Sequence, residues 1–349
     1  MNARQRVRYS RQLALPQLGA SGQQKLLDAK VVIVGAGGLG VPVALYLAGA
    51  GVGHLTLVDD DVVELSNLQR QVIFTAEDVG HPKAERLAAH LRRLNDDIEV
   101  AAVCTWLTAA NIEELIESAD LVMDCCDNFA TRYLVNDFCR ALGKPWMFAA
   151  LHQFRGHFAL FTPQTACFRC LYPEQPVSEG NCSLAGVLGT VPGLMGLWQG
   201  NEALKHLLAL PQSEPGQLWH CNVLEPGLRA IRLTADPECW CQGDAPNPLV
   251  FHAAQDSVEI SWQQWDAWHA SEAATALIDI RSEVDHQAGN AGGRYLSHRD
   301  ILRYLESLEP NVLVALYCQR GVRSLALARE LRKQGFEQVV SIRGGVERR

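Results

Sequence analysis

Three glycines and an aspartate form the segment of this sequence that is best suited to holding phosphate. Residues 31–34 are a β-branched run, and Gly35, Gly37 and Gly40 follow it with the spacing G-x-G-x-x-G. Glycines let the backbone approach a phosphate, and the N-terminus of the helix expected next presents free N–H groups to it. Asp59, which ends a second apolar run, can hold ribose hydroxyls. From these residues alone, binding of a dinucleotide and of a mononucleotide remain equally open.

Several polar residues downstream have the chemistry to contact a triphosphate. Asn67 and Arg70 lie in a short polar cluster, and the rigid guanidinium of arginine matches phosphate geometry, although loop solvation would also explain the cluster. Lys83 falls in the first turn of a predicted helix, where a cation opposes the helix dipole. Asp127 follows a strand predicted over residues 119–124 and would lie at the carboxyl edge of a sheet. It could cap the next helix, bind a metal or position a phosphate.

A mainly parallel α/β sheet is needed to position these residues. The glycine turn is followed by a predicted helix with Pro42 in its first turn, and residues 55–58 form the next predicted strand. Residues 31–58 contain no charged side chain, which on hydropathy alone would suggest a membrane span. The glycine turn and the second strand favour a buried unit of a soluble fold instead.

Length and composition limit the classes of function. The 349 residues suggest two or three domains, and the net charge of -8 argues against nonspecific binding of nucleic acid. The sequence contains 11 cysteines but opens without an apolar signal segment. We therefore expect a cytoplasmic protein whose cysteines serve as metal ligands or reactive thiols.

The motifs GAGGLG, DDDVVELSNLQRQ, HPKAE and DCCDN occur in this order, with RYSRQ before them and CFRCLYPE and NCSLAGVLG after them. On these motifs, the first two-thirds of the chain resembles the MoeB/ThiF/HesA family of ubiquitin-activating-enzyme-like adenylyltransferases. The resemblance implies ATP rather than NAD, magnesium, and adenylation of the C-terminal glycine of a small ubiquitin-like sulfur carrier ending in Gly-Gly. It also implies a homodimer.

The resemblance further implies a role for each matching residue. Nucleotide contacts are implied for Gly35, Gly37, Gly38, Gly40, Asp59, Asn67, Arg70, Lys83, Asp127, Arg132 and, from the neighbouring protomer, Arg11. Arg70, Lys83 and Asp127 would be catalytic, because positive groups and magnesium relieve the charge repulsion between a carboxylate and ATP. Cys182 would be a candidate for a covalent intermediate, with incidental burial as the alternative.

Two cysteine pairs are candidates for a structural zinc site. Cys167 and Cys170 form C-x-x-C, and Cys239 and Cys241 form C-x-C about 70 residues later. Four thiolates make a closed tetrahedral zinc site. The family usually has C-x-x-C at both places, so the contraction leaves open a site that has lost its metal.

The C-terminal part, with ALIDIRSE, VLVALYCQRGVRS and VVSIRGG, resembles a rhodanese domain. Cys318 would carry a persulfide, with sulfur from a donor such as a cysteine desulfurase. It lies between a predicted strand and a predicted helix that Gly335 stops, where backbone N–H groups with Arg320 and Arg323 would stabilise an anionic sulfur. Residues 289–293 replace the usual His-Ile-Pro-Gly-Ala segment, so a shortened, inactive copy is the alternative.

We therefore predict a Rossmann-like adenylation domain over residues 1–245 and a small α/β rhodanese-like domain over residues 255–349. The expected function is adenylation of a sulfur carrier, with sulfur transfer, for molybdopterin or thiamine-thiazole biosynthesis. The alternatives are an NAD-dependent oxidoreductase and a non-catalytic scaffold that binds the carrier. No motif identifies the carrier.

Overall fold

The computed structural model describes residues 1–173, 186–210, 214–225, 227–242, 258–270, 275–308, 312–336 and 338–349. The chain divides into two compact units, Met1–Pro248 and Leu249–Arg349. Within the described ranges, no helix combines the length and the hydropathy that crossing a bilayer requires.

An eight-stranded sheet forms the centre of the first unit. Its strands are β1 (Lys30–Val34), β2 (His54–Val58), β3 (Glu99–Val103), β4 (Leu121–Asp124), β5 (Trp146–His152), β6 (Arg155–Phe161), β7 (Gln217–Asn222) and β8 (Leu228–Arg232). The spatial order is β3-β2-β1-β4-β5-β6-β7-β8, with β1 to β5 parallel and β6 to β8 antiparallel. The prediction of a mainly parallel sheet is therefore confirmed.

Helices cover both faces of this sheet. The α-helices of the first unit are Ala3–Arg8, Ser10–Leu13, Gly19–Asp28, Gly40–Ala50, Lys83–Leu94, Ile112–Ile116, Phe129–Ala141, Phe168–Leu171 and Thr190–Leu207. Along β1, Val31 and Ile33 pack into one apolar cluster, while Val32 and Val34 pack into another on the opposite face. Because both faces of β1 are buried, its sequence is continuously apolar rather than alternating.

A five-stranded, fully parallel sheet forms the centre of the second unit. Its strands are β9 (Glu259–Ile260), β10 (Thr275–Asp279), β11 (Arg294–Tyr295), β12 (Leu313–Tyr317) and β13 (Val339–Ile342), in the order β11-β10-β12-β13-β9. The α-helices are Trp262–Ala270, Glu283–Ala288, His298–Glu306 and Val322–Lys333. The strand and helix predicted on either side of Cys318 are thus confirmed, and Gly335, with φ of 100°, follows the helix in the left-handed region that favours glycine.

Candidate functional site

The carboxyl ends of three adjacent strands bring the predicted nucleotide residues to one edge of the first sheet. Gly35 N donates a hydrogen bond to Val58 O at 2.8 Å, and Cys125 N donates one to Val34 O at 2.8 Å. The glycine turn therefore lies between the segment that begins with Asp59 and the segment that leads to Asp127. Ligands of open α/β sheets bind at this edge.

The glycine turn after β1 has no room for side chains at two of its positions. A Cβ atom on Gly40 would lie 1.8 Å from Gly35 O, and one on Gly35, where φ is 100°, would lie 2.7 Å from Cys125 O. Ala36 N donates to Asp59 Oδ2 at 2.6 Å, which fixes the turn to the end of β2. The turn leads directly into helix Gly40–Ala50, and Val41 N donates to Gly37 O at 2.9 Å, so the first turn of the helix is bonded to the glycine turn.

Two side chains from the polar cluster lie over this turn. A Cβ on Gly38 would be 3.5 Å from Arg70 Cγ, and one on Gly37 would be 3.5 Å from Gln71 Nε2. Arg70 is half-buried, and its Nη1 donates to Ser66 O at 3.0 Å. Gln71 is buried, and no described residue bonds its Oε1. The sequence analysis gave Gln71 no role, although it follows Arg70 directly.

Asn67 is held within its own loop. Its Oδ1 accepts a hydrogen bond from Glu64 N at 3.3 Å, and its Nδ2 donates to Ser66 Oγ at 3.3 Å. The side chain is buried, so it shapes the loop that carries Arg70.

Lys83 lies in the first turn of its helix, as predicted, and has a carboxylate partner. Its Nζ is 3.0 Å from Asp61 Oδ2, and only 6% of the residue is exposed. Asp59 is half-buried nearby, and burial raises its pKa although the charge of Lys83 opposes the shift. An anionic ligand at this edge would either bind Lys83 together with Asp61 or replace Asp61 as the partner of Lys83.

The segment after β4 presents Asp127 to solvent and buries its neighbours. Asn128, rather than Asp127, caps helix Phe129–Ala141: its side chain accepts a hydrogen bond from Thr131 N at 2.9 Å. The expectation that Asp127 could be the cap is therefore wrong, because Asn128 has the extended backbone that a cap requires. Asp127 is exposed and available to a metal or a phosphate.

Arg132 is buried beneath this segment. Its Nη2 donates to Cys126 O at 2.9 Å, and its Nε is 3.7 Å from Asp124 Oδ2. Burial raises the pKa of Asp124 to about 6, although the Arg132 charge opposes the shift. Arg132 therefore holds the backbone that carries Asp127.

Arg11 extends from a helix whose neighbouring residues point inward. Tyr9 is buried, with its hydroxyl accepting from Asn95 Nδ2 at 2.8 Å, and Gln12 Nε2 donates to Ala50 O at 3.0 Å. Arg11 is exposed and forms no salt bridge with a described residue. It is therefore available to a molecule outside this chain.

The four predicted metal ligands lie together. Sγ–Sγ distances are 3.8 Å for Cys167–Cys170, 3.6 Å for Cys167–Cys239 and 3.5 Å for Cys170–Cys241, and all four sulfurs lie within 4.8 Å of one another. Tetrahedral zinc with Zn–S bonds of about 2.3 Å places its sulfurs about 3.8 Å apart. The donor set therefore fits zinc. Cys241 lies in the 3-10 turn Trp240–Gln242, and the contracted C-x-C spacing does not prevent the four sulfurs from lying together.

In the second unit, Cys318 lies directly after β12 and before helix Val322–Lys333. It is 2% exposed, and its Sγ is 3.6 Å from Ser324 Oγ. Gly321 has φ of 82°, which turns the chain into the helix. Arg320 on this loop and Arg323 in the first turn of the helix are exposed and supply positive charge near the thiol in sequence.

A buried polar network joins the unusual segment at residues 289–293 to the Cys318 loop. Arg281 Nη2 donates to Asp279 Oδ2 at 2.8 Å and to Gly289 O at 2.6 Å, while Arg281 Nη1 donates to Gln319 Oε1 at 3.2 Å. Tyr317 Oη donates to Gly292 O at 2.9 Å. The segment that departs from the family pattern is therefore bonded directly to Tyr317, before Cys318, and through Arg281 to Gln319, after it. Cys182 lies outside the described residues.

Comparison with known proteins gives consistent matches for both units. A model described as the ThiF family matches residues 9–241, and one described as a rhodanese-like domain matches residues 263–348. The chain is 48% identical over 252 residues to the sulfur carrier protein ThiS adenylyltransferase of Escherichia coli (strain K12), which spans 71% of this chain and 100% of that protein. It is 35% identical over 361 residues to the probable adenylyltransferase/sulfurtransferase MoeZ of Mycobacterium tuberculosis, spanning 97% of this chain and 91% of that one. A crystal structure of E. coli MccB with ATP matches with a TM-score of 0.58 and 25% identity, over 68% of this chain and 75% of that chain.

Proposed function

Because the chain belongs to the ThiF family of adenylyltransferases and carries a C-terminal rhodanese-like domain, we propose that it activates a ubiquitin-like sulfur carrier with ATP and then transfers sulfur to it. The observation that carries this proposal is the meeting of the glycine turn, Arg70, Lys83 and the Asp127 segment along one sheet edge. The relatives that combine both activities in their names support the second step.

In the first step, the carrier's C-terminal carboxylate attacks the α-phosphate of ATP and pyrophosphate leaves. Gly37 and Gly38 let the backbone approach the nucleotide, and Asp59 accepts hydrogen bonds from the ribose. Arg70 and Lys83 offset the negative charge that the attacking carboxylate meets. Mg²⁺ would neutralise triphosphate charge, and the exposed carboxylate of Asp127 would hold it.

In the second step, Cys318 accepts sulfane sulfur from a donor such as a cysteine desulfurase. The thiolate attacks the terminal sulfur of the donor persulfide, and the donor thiolate leaves. The Cys318 persulfide then attacks the activated carrier carbonyl, and AMP leaves. The product is an acyl disulfide between the carrier and Cys318. A second thiol, from Cys182 or from an external reductant, attacks the Cys318 sulfur, so the carrier thiocarboxylate leaves and a disulfide forms on Cys318. Arg320, Arg323 and the N-terminus of helix Val322–Lys333 stabilise the anionic sulfur.

Three further features complete the proposal. Cys167, Cys170, Cys239 and Cys241 hold one structural zinc ion per chain. Arg11 reaches the nucleotide of a second copy, so the enzyme works as a homodimer. We place it in the cytoplasm, where its cysteines stay reduced, and in molybdopterin or thiamine-thiazole biosynthesis.

Carrier-dependent exchange between ATP and pyrophosphate tests the first step. We expect exchange to fall at least about 100-fold in Arg70→Ala and Asp127→Ala, the scale expected when charge stabilisation of a transition state is lost. Cys182→Ala and Cys318→Ala should retain it, because no protein thiol takes part in this step. Lys144→Ala, away from the predicted nucleotide residues, is the control. Normal exchange in both the Arg70 and the Asp127 variant would exclude the assignment.

Two further measurements separate the alternatives. Tight binding of NAD with no affinity for ATP would favour an oxidoreductase, and carrier binding without exchange would favour a scaffold.

Peptide mapping after treatment with a persulfide donor should place a sulfur increment of about 32 Da on Cys318. If Cys318→Ala transfers sulfur to the carrier as fast as the unmodified protein, an external enzyme supplies it.

A further inference from the structure

One arginine side chain bonds the backbone next to both cysteine pairs. Arg140 lies in the last turn of helix Phe129–Ala141. Its Nη1 donates to Thr165 O at 3.1 Å, and its Nη2 donates to Cys241 O at 2.7 Å. Thr165 precedes Cys167 by two residues, whereas Cys241 belongs to the second pair. A single planar guanidinium therefore spans the gap between two segments that are far apart in sequence.

The same helix fixes the first cysteine pair by a second set of buried bonds. Asn136 Oδ1 accepts from Phe168 N at 2.8 Å. The Asp137 carboxylate accepts from Arg169 Nε at 2.8 Å and from Arg169 Nη2 at 2.7 Å. Phe168 and Arg169 are the two residues between Cys167 and Cys170, so the backbone of the first pair is held independently of Arg140.

The second pair has a different set of supports. Gln242 Nε2 donates to Cys241 Sγ at 3.1 Å, but that bond is local to the turn. The bond from Arg140 to Cys241 O ties the contracted C-x-C turn to the helix that holds the first pair. Arginine suits this role because its donors form a rigid fork, whereas lysine offers a single flexible ammonium.

We propose that Arg140 is a positioning residue for the metal site: it sets the distance between the two cysteine pairs and compensates for the residue that the second pair lacks. This inference rests on the proposed zinc site. Residues outside the ligand shell that orient ligands typically change metal affinity by about 10- to 100-fold when they are replaced. Arg140 would act in this way through the backbone of a ligand rather than through its sulfur.

The test compares zinc release from four full-length proteins: the unmodified chain, Arg140→Met, Arg140→Lys and Arg92→Met. Arg92 is the matched control, since it also lies in the last turn of a helix and donates to a backbone carbonyl, Val100 O, at 3.1 Å from its Nε. Zinc content is measured by elemental analysis, and the release rate is measured with the colorimetric chelator 4-(2-pyridylazo)resorcinol. We expect release at least about 10-fold faster in Arg140→Met, an intermediate rate in Arg140→Lys and no change in Arg92→Met.

Each outcome decides the question. Equal release from Arg140→Met and the unmodified chain overturns the inference but leaves the zinc site standing. An unmodified chain without zinc overturns the proposed metal site, and the inference with it. Equally fast release from Arg92→Met would show a general effect of losing stability and would also overturn the inference. If Arg140→Met does not fold, Arg140→Lys carries the test, because it keeps the charge but loses the planar pair of donors.

Discussion

Asp124 is a buried carboxylate whose protonation state affects the stability of the first unit. It is fully buried at the end of β4, and burial raises its pKa from 3.8 to about 6. Between these two values the folded state binds a proton that the unfolded state has released, so stability falls as pH rises. The shift in pKa corresponds to a loss of about 3 kcal/mol in the free energy of unfolding across this pH range.

We predict that Asp124→Asn removes this loss, because an amide stays neutral at every pH in the window. The melting temperature of the first unit should fall between about pH 4 and pH 6 in the unmodified protein and fall less in the variant. Calorimetry at several pH values measures both. An identical pH dependence in the two proteins would mean that ionising the buried Asp124 carboxyl does not lower the stability of the folded state.

We predict that the same substitution at two glycines of one helix has opposite effects on stability. In helix Gly40–Ala50, a Cβ on Gly40 would meet Gly35 O at 1.8 Å, whereas a Cβ on Gly49 would meet nothing within 4 Å. Gly40→Ala should destabilise the first unit by about 3 kcal/mol or more and abolish ATP binding, because the glycine turn must open. Gly49→Ala should stabilise it by up to about 1 kcal/mol, since alanine favours the helix. Thermal melting with and without ATP compares the pair.

Residue types and spacing predicted which side chains approach the sheet edge, but not their partners in the protein. Gly35, Asp59 and the Asp127 segment each follow one of three adjacent strands. Their positions were predictable because strand ends and turn residues leave local signals in the sequence. The bond between Lys83 and Asp61 joins residues 22 apart, and Arg140 bonds a carbonyl 101 residues away. Such pairings depend on tertiary structure, so no pattern in the sequence indicated them.

At the scale of elements, the sequence predicted three parallel strands of the first sheet, β1, β2 and β4, but not the parallel strands β3 and β5 or the antiparallel strands. β1 and β2 are short apolar runs bounded by glycine and aspartate, which the sequence marks clearly. β7 and β8 are half-buried or exposed along their length, so they lack the continuous apolar pattern of a buried strand. β7 takes its place in the sheet by pairing with β6, which lies about 60 residues earlier, and β8 then pairs with β7.

A turn near Gly345 supports the loop that carries Cys318. Val346 N donates to Cys318 O at 2.9 Å, and Glu347 N donates to Gln319 O at 3.1 Å. Trp262 Nε1 donates to Gly345 O at 2.8 Å, which fixes the turn from the other side. A Cβ on Gly345 would lie 2.1 Å from Cys318 O. The loop and the turn therefore cannot both keep their positions if Gly345 gains a side chain.

We predict that Gly345→Ala loosens the Cys318 loop. Cys318 is buried, so iodoacetamide should modify it severalfold faster in the variant, while uptake of sulfur from a persulfide donor should fall. Gly49→Ala is the control, because Gly49 belongs to the other unit and no atom lies within 4 Å of the Cβ it would add. Peptide mapping isolates the label on Cys318 from that on other cysteines. Unchanged labelling in Gly345→Ala would mean that the turn does not hold the loop.

At the scale of the whole molecule, the two proposed half-reactions belong to different compact units. Every residue matched to adenylation lies in Met1–Pro248, and Cys318 lies in Leu249–Arg349. A protease site introduced between residues 243 and 257 would allow the chain to be cut after folding. We expect cleavage to leave ATP–pyrophosphate exchange unchanged but to slow sulfur transfer to the carrier, because the two units would no longer be covalently linked and would lose the effective concentration that a tether provides.

Equal sulfur transfer before and after cleavage would mean that the two units act as independent enzymes. As a control, uncleaved Cys318→Ala protein is added to the cleaved protein. It supplies an intact adenylation unit but has no Cys318 thiol that could accept sulfur itself. A loss of exchange on cleavage would instead show that the adenylation unit depends on the second unit for its stability.

Zinc held by the four cysteines, as proposed, would also change the topology of the chain. Helix Thr190–Leu207, β7 and β8 all lie between Cys170 and Cys239 in sequence. With zinc bound, peptide bonds and metal–thiolate bonds together make this stretch a closed ring. A single nick in a ring, for example at Leu224, which is 69% exposed between β7 and β8, opens it without yielding two separable fragments. Nicked protein should therefore migrate as one species in mild denaturant and part into two only when a chelator removes the metal.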